Sequence, residues 1–181
     1  MLSPEKEAQK IINRFGITKP HIPVEEIAKK LGAQVIKQES DDNHSGMIYS
    51  DSHGVIIGVN KEHSENRKRF TIAHEIGHMI MHSHLLEGEV HIDKGFGVRL
   101  NRDKRSSLGE DLLEIQANKF AAELLMPKAM IKKDIKDLYV DISRDMDEHI
   151  KALAKKYKVS QQAMSFKILN TFESDLAISD F

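Results

Sequence analysis

The sequence predicts an α+β fold, mostly helical with a small antiparallel or mixed sheet, followed by a C-terminal helical unit. Three observations carry this. Apolar residues at helical spacing dominate the chain, two short β-rich runs flank Asp51-Ser52-His53-Gly54, and two helical runs straddle Tyr157-Lys158-Val159-Ser160 near the C-terminus. The length, 181 residues, fits one domain with a helical appendage. A chain of this size buries roughly 70% of its unfolded surface, so it needs no covalent staple.

The elements follow in order. Ser3-Pro4-Glu5 starts a helix with a cap, a proline in the first turn and an acid; Ala8, Ile11, Ile12 and Phe15 give its period, and Gly16 ends it. Pro23 opens a second short helix through Ile27, Ala28 and Leu31, closed by Gly32. Gln34–Lys37 reads as a strand. Ser45–Tyr49 and Val55–Asn60 read as the two arms of a hairpin. A long helix follows from Glu65 to His82, with Phe70, Ala73, Gly77 and Ile80 on its buried stripe. Residues 83–109 lack a clean period and read as a long, glycine-containing loop with a short strand at Phe96–Leu100. The next helix, Glu110 to Met126, has Leu113, Ala117, Phe120, Ala121 and Leu124 as its stripe, and Pro127 stops it. Ala129–Leu138 continues as helix, and His149–Asn170 holds the last two. The expected organisation is residues 1–128 as the main domain, 129–170 as a helical extension packed on it, and 171–181 as an acidic, disordered tail.

Composition narrows the function. The formal net charge is −1, so the chain as a whole is no polyanion-binding scaffold. There is no cysteine, which excludes disulfides, thiolate catalysis, cysteine-ligated zinc and iron–sulfur clusters. The N-terminal stretch is charged where a signal peptide is apolar, and no apolar run approaches a membrane span; a cytoplasmic, soluble protein is expected. Histidine is frequent, at 10 residues.

His74-Glu75-Ile76-Gly77-His78 is the informative segment. Histidines at i and i+4 share a helix face and can grip one tetrahedral metal ion. Glu75, offset by about 100°, can reach a metal-bound water as general base, and zinc lowers the pKa of such a water towards ~7. A solvated His/Glu face would carry the same letters, but Ala73, Gly77 and Ile80 place these imidazoles beside the core. Gly77 inside a helix costs ~1 kcal/mol against alanine, which points to a close approach there.

A third ligand is needed. Glu114 is the best candidate, because it borders the apolar stripe between Leu113 and Ala117, where an unpaired carboxylate is costly. Glu110 sits one turn earlier, where the helix dipole alone explains an acid. His84 has the spacing of a longer histidine motif but lacks the glycine at position 81, which is Met81; His82 lies along the helix from His78. Glu123, half a turn round from Glu114, reads as solvated. Asn118, one turn beyond Glu114, could accept a hydrogen bond from the far ring nitrogen of a ligating histidine.

Arg69-Phe70-Thr71-Ile72-Ala73-His74-Glu75-Ile76-Gly77-His78, together with Glu114-Ile115-Gln116-Ala117-Asn118-Lys119-Phe120-Ala121-Ala122-Glu123-Leu124-Leu125-Met126-Pro127, resembles the ImmA/IrrE family of bacterial metallopeptidases over about residues 1–170. The resemblance implies a zincin-like fold, His74, His78 and Glu114 as metal ligands, and Glu75 as catalytic base. It implies a protein substrate, typically an Xre-type helix-turn-helix repressor whose cleavage relieves transcriptional repression. Zinc is the expected metal, and manganese suits the same donors.

The C-terminal unit also resembles a helix-turn-helix, with five lysines and no acid between His149 and Asn170. A helix pair packed on the rest is favoured over a DNA contact, since Gln161–Leu169 offers one basic residue and no arginine for base readout. An extended peptide is expected to pair with a sheet edge supplied by Ser45–Tyr49 or Val55–Asn60, with Gly46 and Gly58 permitting close approach. Tyr49 and His91 are the candidates for stabilising the oxyanion.

Overall fold

The computed structural model describes residues 3–39, 45–83, 86, 90–93, 104–138 and 146–176. Helix α1 (Pro4–Arg14) is capped by Ser3, whose hydroxyl accepts from the Lys6 amide at 3.4 Å, and buries Ala8, Ile11 and Ile12. Helix α2 (Val24–Lys30) leads into strand β1 (Ala33–Gln38). Strands β2 (Gly46–Asp51) and β3 (Gly54–Asn60) form the expected hairpin. Its turn is closed by the Asp51 carboxylate, which accepts from the amides of His53 at 2.8 Å and Gly54 at 3.2 Å, while Gly54 takes a φ of 140° closed to other residues. Helix α3 (Glu65–Met81) starts at Ser64, whose hydroxyl accepts from the Arg67 amide. Strand β4 (Val90–Asp93), helices α4 (Lys104–Leu125), α5 (Lys128–Leu138), α6 (Met146–Tyr157) and α7 (Gln161–Leu176) complete the order.

The fold is α+β, and the described residues form a four-stranded mixed sheet in the order β1-β3-β2-β4. β1 runs parallel to β3, and β2 runs antiparallel to both β3 and β4. This corrects the expected edge. β2 and β3 each have a neighbour on both sides, so among the described residues β1 and β4 form the edges. β4 itself has no counterpart in the sequence reading, which placed a strand at Phe96–Leu100, outside the described residues. Helix α4 also starts six residues before Glu110, and α7 carries residues 171–176 of the expected tail as helix.

Gly46, Ile48, Ile57 and Val59 share the sheet face that packs on α3. The fit is tight. A Cβ at Gly46 would stand 2.2 Å from Thr71 Cγ2 and 3.0 Å from Glu75 Oε1, while one at Gly58, on the other face, would stand 2.8 Å from Met47 Cγ. Both glycines make room for the protein's own side chains, a different use from the expected approach of a substrate backbone.

The last two helices are tied to the rest by polar contacts. Asn66 Nδ2 donates to the Val159 carbonyl at 3.0 Å, and Arg69 Nε donates to the Lys158 carbonyl at 3.4 Å. Tyr157, fully buried, donates its hydroxyl to Asp134 at 2.8 Å, and Lys156 pairs with the same carboxylate. Lys158 makes the turn between α6 and α7 with a left-handed φ of 52°. Among the described residues no helix is long and apolar enough to cross a membrane.

Candidate metal centre

Helices α3 and α4 approach closely because Gly77 has no side chain. A Cβ there would lie 3.2 Å from Ala117 Cα and 3.3 Å from Phe120 Cβ. The approach sets two turns of α3 against two turns of α4. His74 and His78, one turn apart, bring their Nε2 atoms within 3.0 Å of each other. Glu114 reaches back from α4, with Oε2 3.3 Å from His74 Nε2 and Oε1 3.2 Å from His78 Nε2. The imidazoles are 3% and 2% exposed and the carboxylate 26%, so the cluster is reached from the Glu114 side.

These three residues form a group that could hold a metal ion. The spacing fits. Zinc–nitrogen bonds of about 2.0–2.1 Å put donors at tetrahedral corners about 3.3 Å apart. The donor chemistry fits as well. His74 Nδ1 lies 3.0 Å from Asn118 Oδ1. An amide oxygen only accepts, so Nδ1 carries the hydrogen and the Nε2 lone pair turns toward His78 and Glu114. Glu75 is 0% exposed and lies on the sheet side of α3, under Gly46.

The other candidates fall elsewhere. His82 is buried, with Nδ1 3.1 Å from His78 Nδ1 and Nε2 2.9 Å from Gln116 Oε1. It therefore sits behind His78, and Gln116 completes a chain that the sequence reading did not contain. His82 at a helix end is expected in solvent, and its burial against Gln116 corrects that expectation; Gln116 itself gave no signal. Glu123, expected in solvent, is 6% exposed: its Oε2 lies 2.5 Å from Lys167 Nζ and its Oε1 accepts from the Lys128 amide, capping α5. Tyr49 lies on the sheet face away from α3. Its hydroxyl donates to Asp51 at 3.3 Å, whose charge raises the phenol above its ordinary pKa, and the structure does not bring it to the cluster. His91 occupies the β4 position opposite Ile48, its side chain outside the described residues, as are His84 and the Glu110 side chain.

A small mixed sheet backed by a helix with His-Glu-x-x-His, answered by a glutamate from a second helix, defines a metallopeptidase-type site. The chain belongs to the Peptidase_M78 family, the IrrE N-terminal-like domain, whose model matches residues 28–169. No curated relative matches it at a significant level. Among solved structures it is similar to a Mycobacterium tuberculosis transcriptional regulator, with a TM-score of 0.62 at 14% identity. The match covers 89% of this chain but 44% of that one, and at such identity it is a likeness of fold.

Proposed function

We propose that the protein is a zinc-dependent endopeptidase of the cytoplasm that cleaves a helix-turn-helix repressor and so relieves transcriptional repression. The observation that carries the peptidase reading is the triangle of donors from His74, His78 and Glu114, with Glu75 next in sequence on the same helix. Three protein donors leave a fourth corner for water or a substrate oxygen, the pattern of catalytic rather than structural zinc. The bound metal would supply a Lewis acid and a water acidic enough to be deprotonated near neutral pH. Glu75 would take that proton and pass it to the leaving amine. Its burial excludes bulk water from the carboxylate, and α3 fixes it one residue from a ligand. An extended substrate would add to the sheet at β4, the edge strand on the β2 side. The repressor substrate rests on family membership alone.

Metal analysis and a cleavage assay test this together. His74→Ala, His78→Ala and Glu114→Ala should each lose stoichiometric metal. Glu75→Gln should retain it and lose hydrolysis by roughly 10²–10⁴-fold. Full metal in Glu114→Ala would refute the ligand set, and undiminished cleavage by Glu75→Gln would refute the base.

A further inference from the structure

The polar chain behind His78 has a direction. Gln116 presents its oxygen to His82 Nε2 at 2.9 Å, and an amide oxygen accepts only. His82 Nε2 therefore carries the hydrogen. In a neutral imidazole the other nitrogen is then an acceptor, so His82 Nδ1 accepts from His78 Nδ1, 3.1 Å away. That places the His78 hydrogen on Nδ1 and leaves a lone pair on Nε2, which faces His74 Nε2 at 3.0 Å and Glu114 Oε1 at 3.2 Å. His74 reaches the same state in one step through Asn118.

We propose that Gln116 and His82 are positioning residues: the Gln116 oxygen, acting through His82, selects the His78 tautomer that offers Nε2 to the metal. Reversing the chain shows the consequence. A donor at position 116 would make His82 Nε2 an acceptor, His82 Nδ1 a donor and His78 Nδ1 an acceptor. The His78 hydrogen would then sit on Nε2, where it blocks the metal. The two ligating histidines are thus set by amide oxygens on one helix, at positions 116 and 118, though only one of them touches its ligand. Burial makes the chain effective, since His82 is 4% exposed and water cannot readily replace either hydrogen bond. The inference rests on the metal-centre reading of the proposed function, but the hydrogen on His78 Nδ1 is a property of the metal-free protein as well.

The test uses the full chain and three variants at position 116, which is half-buried, each with a side chain of similar length. Long-range proton–nitrogen NMR on the metal-free protein reads which ring nitrogen of His78 bears hydrogen. Competition against a chelator reads zinc affinity. Wild type should show Nδ1–H at His78. Gln116→Glu keeps an acceptor and should preserve both tautomer and affinity. Gln116→Met removes the acceptor and should mix the tautomers and weaken zinc about 10-fold or more. Gln116→Lys, which can only donate, should shift His78 toward Nε2–H and weaken zinc further. A His78 with no hydrogen on Nδ1 in wild type would overturn the proposal, as would an affinity for Gln116→Met equal to wild type or a loss in Gln116→Glu as large as in Gln116→Met. Failure of the wild type to bind zinc, with His78 still found as Nδ1–H, would remove the metal reading and leave the tautomer assignment supported.

Discussion

Gly46→Ala is a single-methyl change with a large expected effect. The new Cβ would stand 2.2 Å from Thr71 Cγ2, where apolar carbons sit about 3.5–4.0 Å apart, so the deficit exceeds an ångström. Neither side yields easily. Position 46 is hydrogen-bonded into β2 between two neighbouring strands, and Thr71 is 2% exposed on the buried face of α3. Overpacking of this kind costs roughly 1–3 kcal/mol, and anchored backbone on one side puts this case near 3. For a chain of this length that is a fall in Tm of roughly 6–12 °C. Thr71→Ser removes the offending methyl and alone should cost about 1 kcal/mol. Combined, the two changes exchange one methyl for another in the same space. The double variant should lose only about 1–2 kcal/mol, a coupling of roughly 2 kcal/mol against additivity. Glu75 Oε1, 3.0 Å from the new carbon, still has to move by a few tenths of an ångström, so the double variant should hold metal and cleave slowly. Urea titration of the four proteins gives the cycle. A Gly46→Ala protein as stable as wild type, or strictly additive losses in the double variant, would refute the packing argument.

Other expectations concern the supports around the site. Glu123→Gln should cost about 3 kcal/mol, because it leaves the Lys167 ammonium, only 12% exposed, without its counter-charge; Glu123→Gln with Lys167→Met should recover part of the loss in the same urea titration. Asn118→Ala should keep the fold and weaken metal affinity by ~10–100-fold by chelator competition, and an unchanged affinity would detach Asn118 from His74. Burial, then the Asp134 contact, raises the Tyr157 phenol far above its ordinary value of 10.0. The folded state thus keeps a proton that the unfolded chain releases, so stability should hold below pH 10.0 and fall as pH rises beyond it. Tyr157→Phe should cost about 1 kcal/mol at neutral pH and flatten that alkaline decline, and a decline of undiminished slope would place its origin in another group.

Much of this architecture was legible because its signals are local. Ser3-Pro4 and Asp51-Ser52-His53-Gly54 each write a cap or turn within four residues, and the structure uses each as such. The grouping of His74, His78 and Glu114 was legible for a second reason: a set of donors suited to one metal ion restricts residue type, and helical spacing restricts position. What escaped depends on pairing between distant segments. The four residues of β4 are too few to show a period, and their place at the edge follows from register with β2. The edge role given to Ser45–Tyr49 and Val55–Asn60 failed for that reason. Glu123 looked solvated because its partner, Lys167, comes 44 residues later. Tyr49 illustrates the same limit, since strand alternation alone does not tell which face meets α3. His82, at the end of its helix, reads as solvated, yet it is buried, because Gln116 from another helix meets it, a pairing that a helix-by-helix reading cannot make.

The contacts from α3 to the α6–α7 turn bear on the order in which the chain assembles. Asn66 and Arg69 find their carbonyl partners 93 and 89 residues further on. At a synthesis rate of about 5–20 residues per second, those partners are made on the order of ten seconds after the helix that needs them. During that interval the first turns of α3 lack these two contacts. A nascent chain stalled before residue 158 therefore holds the residues of the site without the two contacts that tie the first turns of its helix to the end of the chain.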